Sequence, residues 1–220
     1  APINAILYCK AIPHFIDVHN DFLGPDINKL EKYLKENTIL KKNKLYNKKT
    51  KNIIYGILPI HLFGHPSKID EILQIAKKYR LFVVEDAAEA LGSFYKNKHV
   101  GTFGDVGILS FNGNKIITTG GGGMVITNNK KLAQKINHVS KTAKLNHPWN
   151  YIHDQIGYNY RMPNINAALG LSQLKKLNKY LIIKRKLNKK YNETFENNPY
   201  AKIFNEPENC KSNFWFQNIV

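Results

Sequence analysis

Residues 83–124, VVEDAAEALGSFYKNKHVGTFGDVGILSFNGNKIITTGGGGM, decide the fold. The stretch opens with an apolar run that ends in adjacent acids, Glu85 and Asp86. A glycine-punctuated loop leads to a second apolar run, VGILSF, and then to Lys115, two residues after the pair Asn112-Gly113. Four glycines follow at 120–123. Upstream, Ser67 is placed to cap a helix whose apolar face carries Ile69, Ile72, Leu73 and Ala76. Lys77, Lys78 and Arg80 occupy its last turn, as the helix dipole favours. An apolar run at 53–62, broken by Gly56 and Pro59, precedes that helix, and a buried strand at 81–84 follows it. Strand, helix, strand in this order is a βαβ unit, which demands a parallel pair and a right-handed crossover. Both acids then lie at the carboxyl end of a strand, where open α/β sheets bind ligands. An acid there, with a lysine just beyond a neighbouring strand, suits an aldehyde cofactor: the lysine bonds the aldehyde carbon and the acid manages a ring nitrogen.

Outward from this stretch, residues 3–9 and 13–18 read as two short strands separated by a turn. After Gly24-Pro25, Asp26 is an N-cap for a helix with Ile27, Leu30, Tyr33 and Leu34 on one side. The lysine and asparagine run KKNKLYNKKTKN at 41–52 reads as a solvated loop. Residues 106–111 and 124–127 are further strands with the Lys115 loop between them, and Asn128 caps a helix through Leu132, Ala133, Ile136 and Val139. The period fails at 141–157, and long irregular segments in compact domains often serve function. Beyond Pro163 one long helix runs to about residue 195, and NFWFQNIV at 213–220 reads as another strand.

At 220 residues the chain can bury a real core. A net charge of +17 raises nucleic acid as a partner. Of the 33 basic residues, however, only Arg80, Arg161 and Arg185 are arginine, and the lysines are spread along the whole chain. That pattern solvates a surface and argues against nucleic acid as a partner, while still attracting an anionic small substrate such as a nucleotide sugar. Cys9 and Cys210 form neither metal nor redox spacing. Without a signal-peptide pattern or a membrane-length apolar run, the expectation is a soluble, cytoplasmic protein with no membrane partner. The glycine run lacks both the dinucleotide fingerprint and the Walker spacing, so it reads as a turn, and Asn112-Gly113 is equally compatible with a hairpin turn. His61 is either a hydrogen-bonded residue at a strand end or a catalytic one.

Alone, Lys115 is one of thirty lysines and belongs on the surface. Its neighbours change that. SFNGNK resembles the cofactor-lysine motif of the DegT/StrS-type sugar aminotransferases, and VVEDAAEALGS resembles their aspartate motif. GTFGDVGILSF, the glycine run before MVITN, and GYNYRMPNINAALGLSQL are similar too, in the same order. With YCKAIPHFIDV and PIHLFG upstream, the resemblance covers most of residues 1–175.

The resemblance implies an α/β, fold-type-I enzyme dependent on pyridoxal 5′-phosphate (PLP), with a mostly parallel sheet flanked by helices. Residues 1–175 would belong to the large PLP-binding domain, and 176–220 to a connecting helix and the start of a small C-terminal domain. The chain then reads as a fragment: a Ser-Gly-Thr-type phosphate loop is expected before it and most of the small domain after it. Lys115 matches the lysine that bonds the cofactor, and Asp86 the acid that pairs with its ring nitrogen. Ala88 falls against the ring face, and Glu89 near the ring hydroxyl. Ser110 matches a phosphate ligand, and Asn159 an asparagine that reaches the phosphate in the neighbouring subunit, which implies a homodimer with shared active sites. Glu85 and Asp105 are left with structural roles. The implied reaction moves an amino group from L-glutamate to a keto group on a nucleotide-linked sugar. The wording is most similar to that of enzymes acting at C4 of UDP-4-keto-6-deoxy-N-acetylhexosamines. The family's sugar dehydratases carry histidine in place of the lysine, so Lys115 argues against them. A non-catalytic or regulatory homologue of the same fold, binding nucleic acid through its charge, is the alternative from a different class.

Overall fold

Each strand of the central sheet is one of the apolar runs around the two acids. In the computed structural model, which describes residues 1–220, the chain runs α1 (Pro2–Tyr8), α2 (Ile27–Asn37), β1 (Thr38–Lys41), β2 (Lys44–Asn47), β3 (Ile53–Ile54), β4 (Gly56–Ile57), α3 (Ile69–Tyr79), β5 (Phe82–Asp86). It continues through β6 (Phe94–Tyr95), β7 (Lys98–His99), β8 (Val106–Ser110), β9 (Gly123–Ile126), α4 (Lys130–Val139), α5 (Asn164–Leu174), α6 (Leu177–Phe195) and β10 (Cys210–Lys211). The central sheet has the order β4-β5-β8-β9. Its first three strands are parallel, Val83 lying opposite Ile57 and Asp86 opposite Ile108, and β9 returns antiparallel with Gly123 opposite Ser110. The βαβ unit expected from the sequence is β4-α3-β5.

Helix α3 buries Ile69, Ile72, Ile75 and Ala76 in a core shared with Leu30, Leu34, Leu45, Val83 and Val100. Each fully buried aliphatic side chain contributes about 1.5–3 kcal/mol, so this face alone fixes the helix on the sheet. Helix α2 is capped as expected, with Asp26 accepting the Lys29 N–H at 3.0 Å.

Several expectations are corrected. The run expected as a strand at 3–9 is helical to Tyr8 with Cys9 as the C-cap, because Pro2 stands in the first turn with its φ already set and no strand pairs with the run. Residues 13–18 form no strand; only Val18 bridges, to Pro25. The run at 41–52 is a hairpin arm: Lys42 and Asn43, both at positive φ, make the turn between β1 and β2, and Leu45 is buried. Ser67 does not cap α3. Its hydroxyl donates to the Ile60 carbonyl and its N–H to His61, which leaves Lys68 at the cap. Asn129, not Asn128, caps α4 by accepting the Leu132 N–H. The long helix breaks after Leu174: α5 buries no residue, whereas Leu177 and Tyr180 of α6 pack on the core. Residues 213–220 form no strand either, because Phe214 takes φ 51° and the Asn213 side chain captures nearby backbone groups.

Candidate active site

Parallel pairing of β5 and β8 brings Asp86 and Ser110 out at the same end of the sheet. The Asp86 carboxylate is oriented by the Ala88 N–H, 3.0 Å from Oδ1, and pairs with no cation of the chain. Its backbone is clamped to residues 59–61 by the bonds Asp86 N–H to Pro59 O and His61 N–H to Asp86 O. A half-buried carboxylate fixed at a sheet end without a cationic partner suits a protonated ring nitrogen. Ser110 accepts the Asn112 N–H at 3.3 Å, and this opens the loop that carries Lys115.

That loop is held from three sides. The Lys115 N–H bonds the Asn112 carbonyl, and the Phe111 N–H bonds Gly122, whose φ of 109° calls for glycine. From α5, Gln173 accepts the Thr118 N–H and Asn166 donates to the Thr119 carbonyl. From the far end of the chain, the Trp215 indole N–H donates to the Asn114 carbonyl at 2.7 Å. Gly120, Gly121 and Gly122 form the expected turn, and Gly123 already opens β9.

The Lys115 side chain is only 13% exposed. Its amine lies 3.5 Å from Glu89 Oε1 and 4.0 Å from the centre of the Trp215 ring. Glu89 is aimed by the Phe63 N–H, 2.7 Å from its Oε2, and Phe63 itself sits at φ 56°. A left-handed phenylalanine is strained, and such strain persists where the surrounding structure holds it.

Beneath these groups lies a buried polar network. Glu85 accepts the N–H groups of Gly101, Phe103 and Gly104 and the Nε2–H of His61 at 3.0 Å. His61 Nδ1 accepts the Ser67 N–H, so the ring is the neutral Nε2–H tautomer and a structural link between β5 and the 61–67 loop. Burial opposes charge on Glu85, but the His61 hydrogen bond and the backbone donors outweigh it and hold the carboxyl below its usual range. Asp105 accepts the Val83 N–H, which gives it the structural role expected of it. Both cysteines are free, and burial followed by the Glu206 charge pushes the Cys210 thiol up to about 12.

Of the six candidate residues, Asp86, Ala88, Glu89, Ser110 and Lys115 come together at this sheet end. Asn159 does not join them. It is exposed in the 141–163 segment, where its backbone bridges Lys141. Sequence reasoning missed Trp215, Phe63 and Asn213. Asn213 donates to the Glu89 and Leu91 carbonyls and accepts the Trp215 N–H, fastening the C-terminal segment to the site. The run of aromatics in NFWF was the available signal, yet nothing in the spacing says that it crosses to a loop a hundred residues earlier. An open cavity of about 1440 Å³ lies beside β9, between α4 and residues 158–166, and Lys115 does not line it.

The sequence model of the DegT/DnrJ/EryC1/StrS aminotransferase family matches residues 1–220. A GDP-perosamine synthase of Escherichia coli is 40% identical over 220 residues, which is all of this chain and 55% of that protein. A UDP-4-amino-4,6-dideoxy-N-acetyl-beta-L-altrosamine transaminase of Campylobacter jejuni is 37% identical over 204 residues, covering 91% of this chain and 50% of that one. Among solved structures, Helicobacter pylori PseC, an aminotransferase involved in the biosynthesis of pseudoaminic acid, superposes with TM-score 0.86 at 29% identity over 99% of this chain and 54% of its own. The chain thus spans about half the length of the relatives it matches, and the expected α/β, fold-type-I architecture is theirs.

Proposed function

This chain belongs to the DegT/DnrJ/EryC1/StrS aminotransferase family, and from that premise we propose that the whole protein is a PLP-dependent sugar-nucleotide aminotransferase. The observation that carries the reading is Lys115, drawn from a lysine-rich surface into a crevice against Glu89, beside Asp86 and Ser110 at the ends of two parallel strands.

Lys115 would hold the aldehyde carbon of PLP, Asp86 its ring nitrogen, Ala88 a ring face, Glu89 the ring-hydroxyl side and Ser110 the phosphate. Asn159 would serve the phosphate in a neighbouring subunit, making the protein a homodimer with shared sites. When bound, PLP supplies a sink for the electron pair left by the substrate's α-proton. The chain's own part is positional and acid–base. The Asp86 carboxylate holds a cation in a half-dry crevice, and the Lys115 amine carries the proton off and back as general base and acid. The C-terminal segment closes the site, although we place a domain boundary near residue 175.

The amino donor in this reading is L-glutamate, and the acceptor is the keto group of a 4-keto-6-deoxy sugar on a nucleoside diphosphate, within amino-sugar biosynthesis. Relatives named for both GDP- and UDP-linked sugars support that class of acceptor. The purified whole protein should develop a visible absorbance band with PLP and aminate such a sugar at the expense of L-glutamate. Lys115→Ala should lose both the band and the activity. A native protein that stays colourless after cofactor addition overturns the proposal.

A further inference from the structure

The Trp215 ring has Lys115 over it and Phe216 stacked against it. The Lys115 amine stands 4.0 Å from the ring centre, and the Phe216 ring is stacked at 3.9 Å with 25° between planes. The indole therefore bears on both groups at contact distance. Trp215 is 4% exposed, and its two N–H groups are both committed, the indole N–H to Asn114 O and the backbone N–H to Asn213 Oδ1. A circuit closes around the lysine. Lys115 meets Glu89, Glu89 meets the Phe63 N–H, the Phe63 ring lies 6.3 Å from Phe216, and Phe216 backs Trp215. Four separate segments of the chain meet in that circuit.

An ammonium is drawn to the face of an indole by the ring quadrupole, more strongly where water is scarce. Glu89 alone leaves a long, rotamer-rich side chain free to swing about a single ion pair. A ring face on the second side fixes the amine's direction as well as its distance. We propose that Trp215 is a positioning residue for Lys115, holding the amine in the crevice in the pose from which it bonds an aldehyde. The inference rests on the assignment of Lys115 as the PLP lysine. It adds that the selectivity for this lysine comes partly from the C-terminal segment.

The test uses the whole natural protein, freed of cofactor and treated with limiting PLP. Condensation of an amine with the aldehyde releases one water, and borohydride then adds a hydride while solvent adds a proton, making the link permanent. Peptide mapping gives the share of label at Lys115 against the other lysines, which act as internal standards in the same tube. Native protein should label mainly at Lys115. Trp215→Leu should lower that share about tenfold toward the surface lysines, and Trp215→Phe, which keeps a ring face but no indole N–H, should stay within about threefold of native. Folding of each variant is read from its urea midpoint, and Trp215→Phe stands as the test if Trp215→Leu does not fold. Native protein labelled without preference for Lys115 would sink the PLP assignment and this inference with it. Selective native labelling that survives in folded Trp215→Leu, or is lost in folded Trp215→Phe, would overturn the role of the Trp215 face alone.

Discussion

Asp86 shows how a single side chain can be tested for charge apart from shape. One carboxylate oxygen accepts the Ala88 N–H, and an asparagine oxygen can accept the same bond. Asp86→Asn therefore removes the charge and leaves the turn intact. Stability should stay within about 0.5 kcal/mol of native. On the proposed function, the whole protein's kcat/KM should fall about 10- to 100-fold, the worth of one charge-assisted hydrogen bond made in the reacting complex. A variant with native kinetics would remove Asp86 from the site. At this scale the sequence was informative where chemistry is local. Asp86, Ser110 and Lys115 sit in short motifs whose strands are neighbours, so their meeting follows from one βαβ unit and the strand after it. Trp215 and Asn213 were illegible because their contacts depend on the path of residues 176–212, which no periodicity records.

The elements show the same division. β5 and β8 were readable as apolar runs, and α2 and α3 by their apolar period, which the Asp26 cap supports in α2 and the basic last turn supports in α3 although its expected cap failed. α1 and the strand proposed at 13–18 were not, since a short apolar run is ambiguous until a pairing partner is known. The hairpin at 38–47 was hidden by its lysines: only Thr38 and Leu45 are buried, and the charged residues stay outside. Strand β8 also carries a demand that sequence alone cannot state. A Cβ on Gly107 would collide with the carbonyl oxygen of Gly101, whose N–H is held by Glu85. Gly107→Ala must then push β8 or the 101–104 loop aside, and should destabilise the protein by about 3 kcal/mol, at the upper end for overpacking. Gly113 has open space around its missing Cβ, so Gly113→Ala should stay within about 0.5 kcal/mol. Urea unfolding of both variants decides it, and equal midpoints would refute the packing argument for β8.

Across the whole molecule, the tail from Ile203 to Ile219 is tied to the α/β body through His65. That side chain is fully buried, with Nδ1 2.9 Å from Ser212 Oγ and Nε2 3.3 Å from Asn218 Nδ2, and it packs edge-on against Phe204 and Phe214. Burial lowers its pKa to about 4, the more distant Glu206 opposing only in part. Below the ordinary value of 6.5 the unfolded chain takes up a proton that folded His65 refuses until about pH 4, so acid favours unfolding across that window. The loss should reach the order of 3 kcal/mol at the acid end. His99, also lowered by burial, adds to the same slope. Glu85 and Asp70 are held below their usual range, so what they contribute is intact above that range and is lost only at lower pH. Between about pH 6.5 and pH 5 the slope therefore belongs to the histidines. Urea unfolding across that interval should show native stability falling steadily, and His65→Gln, whatever its absolute stability, should show a flatter curve. Parallel curves for the two proteins would mean that His65 takes up its proton without strain, and that the tail is not the acid-sensitive part of the fold.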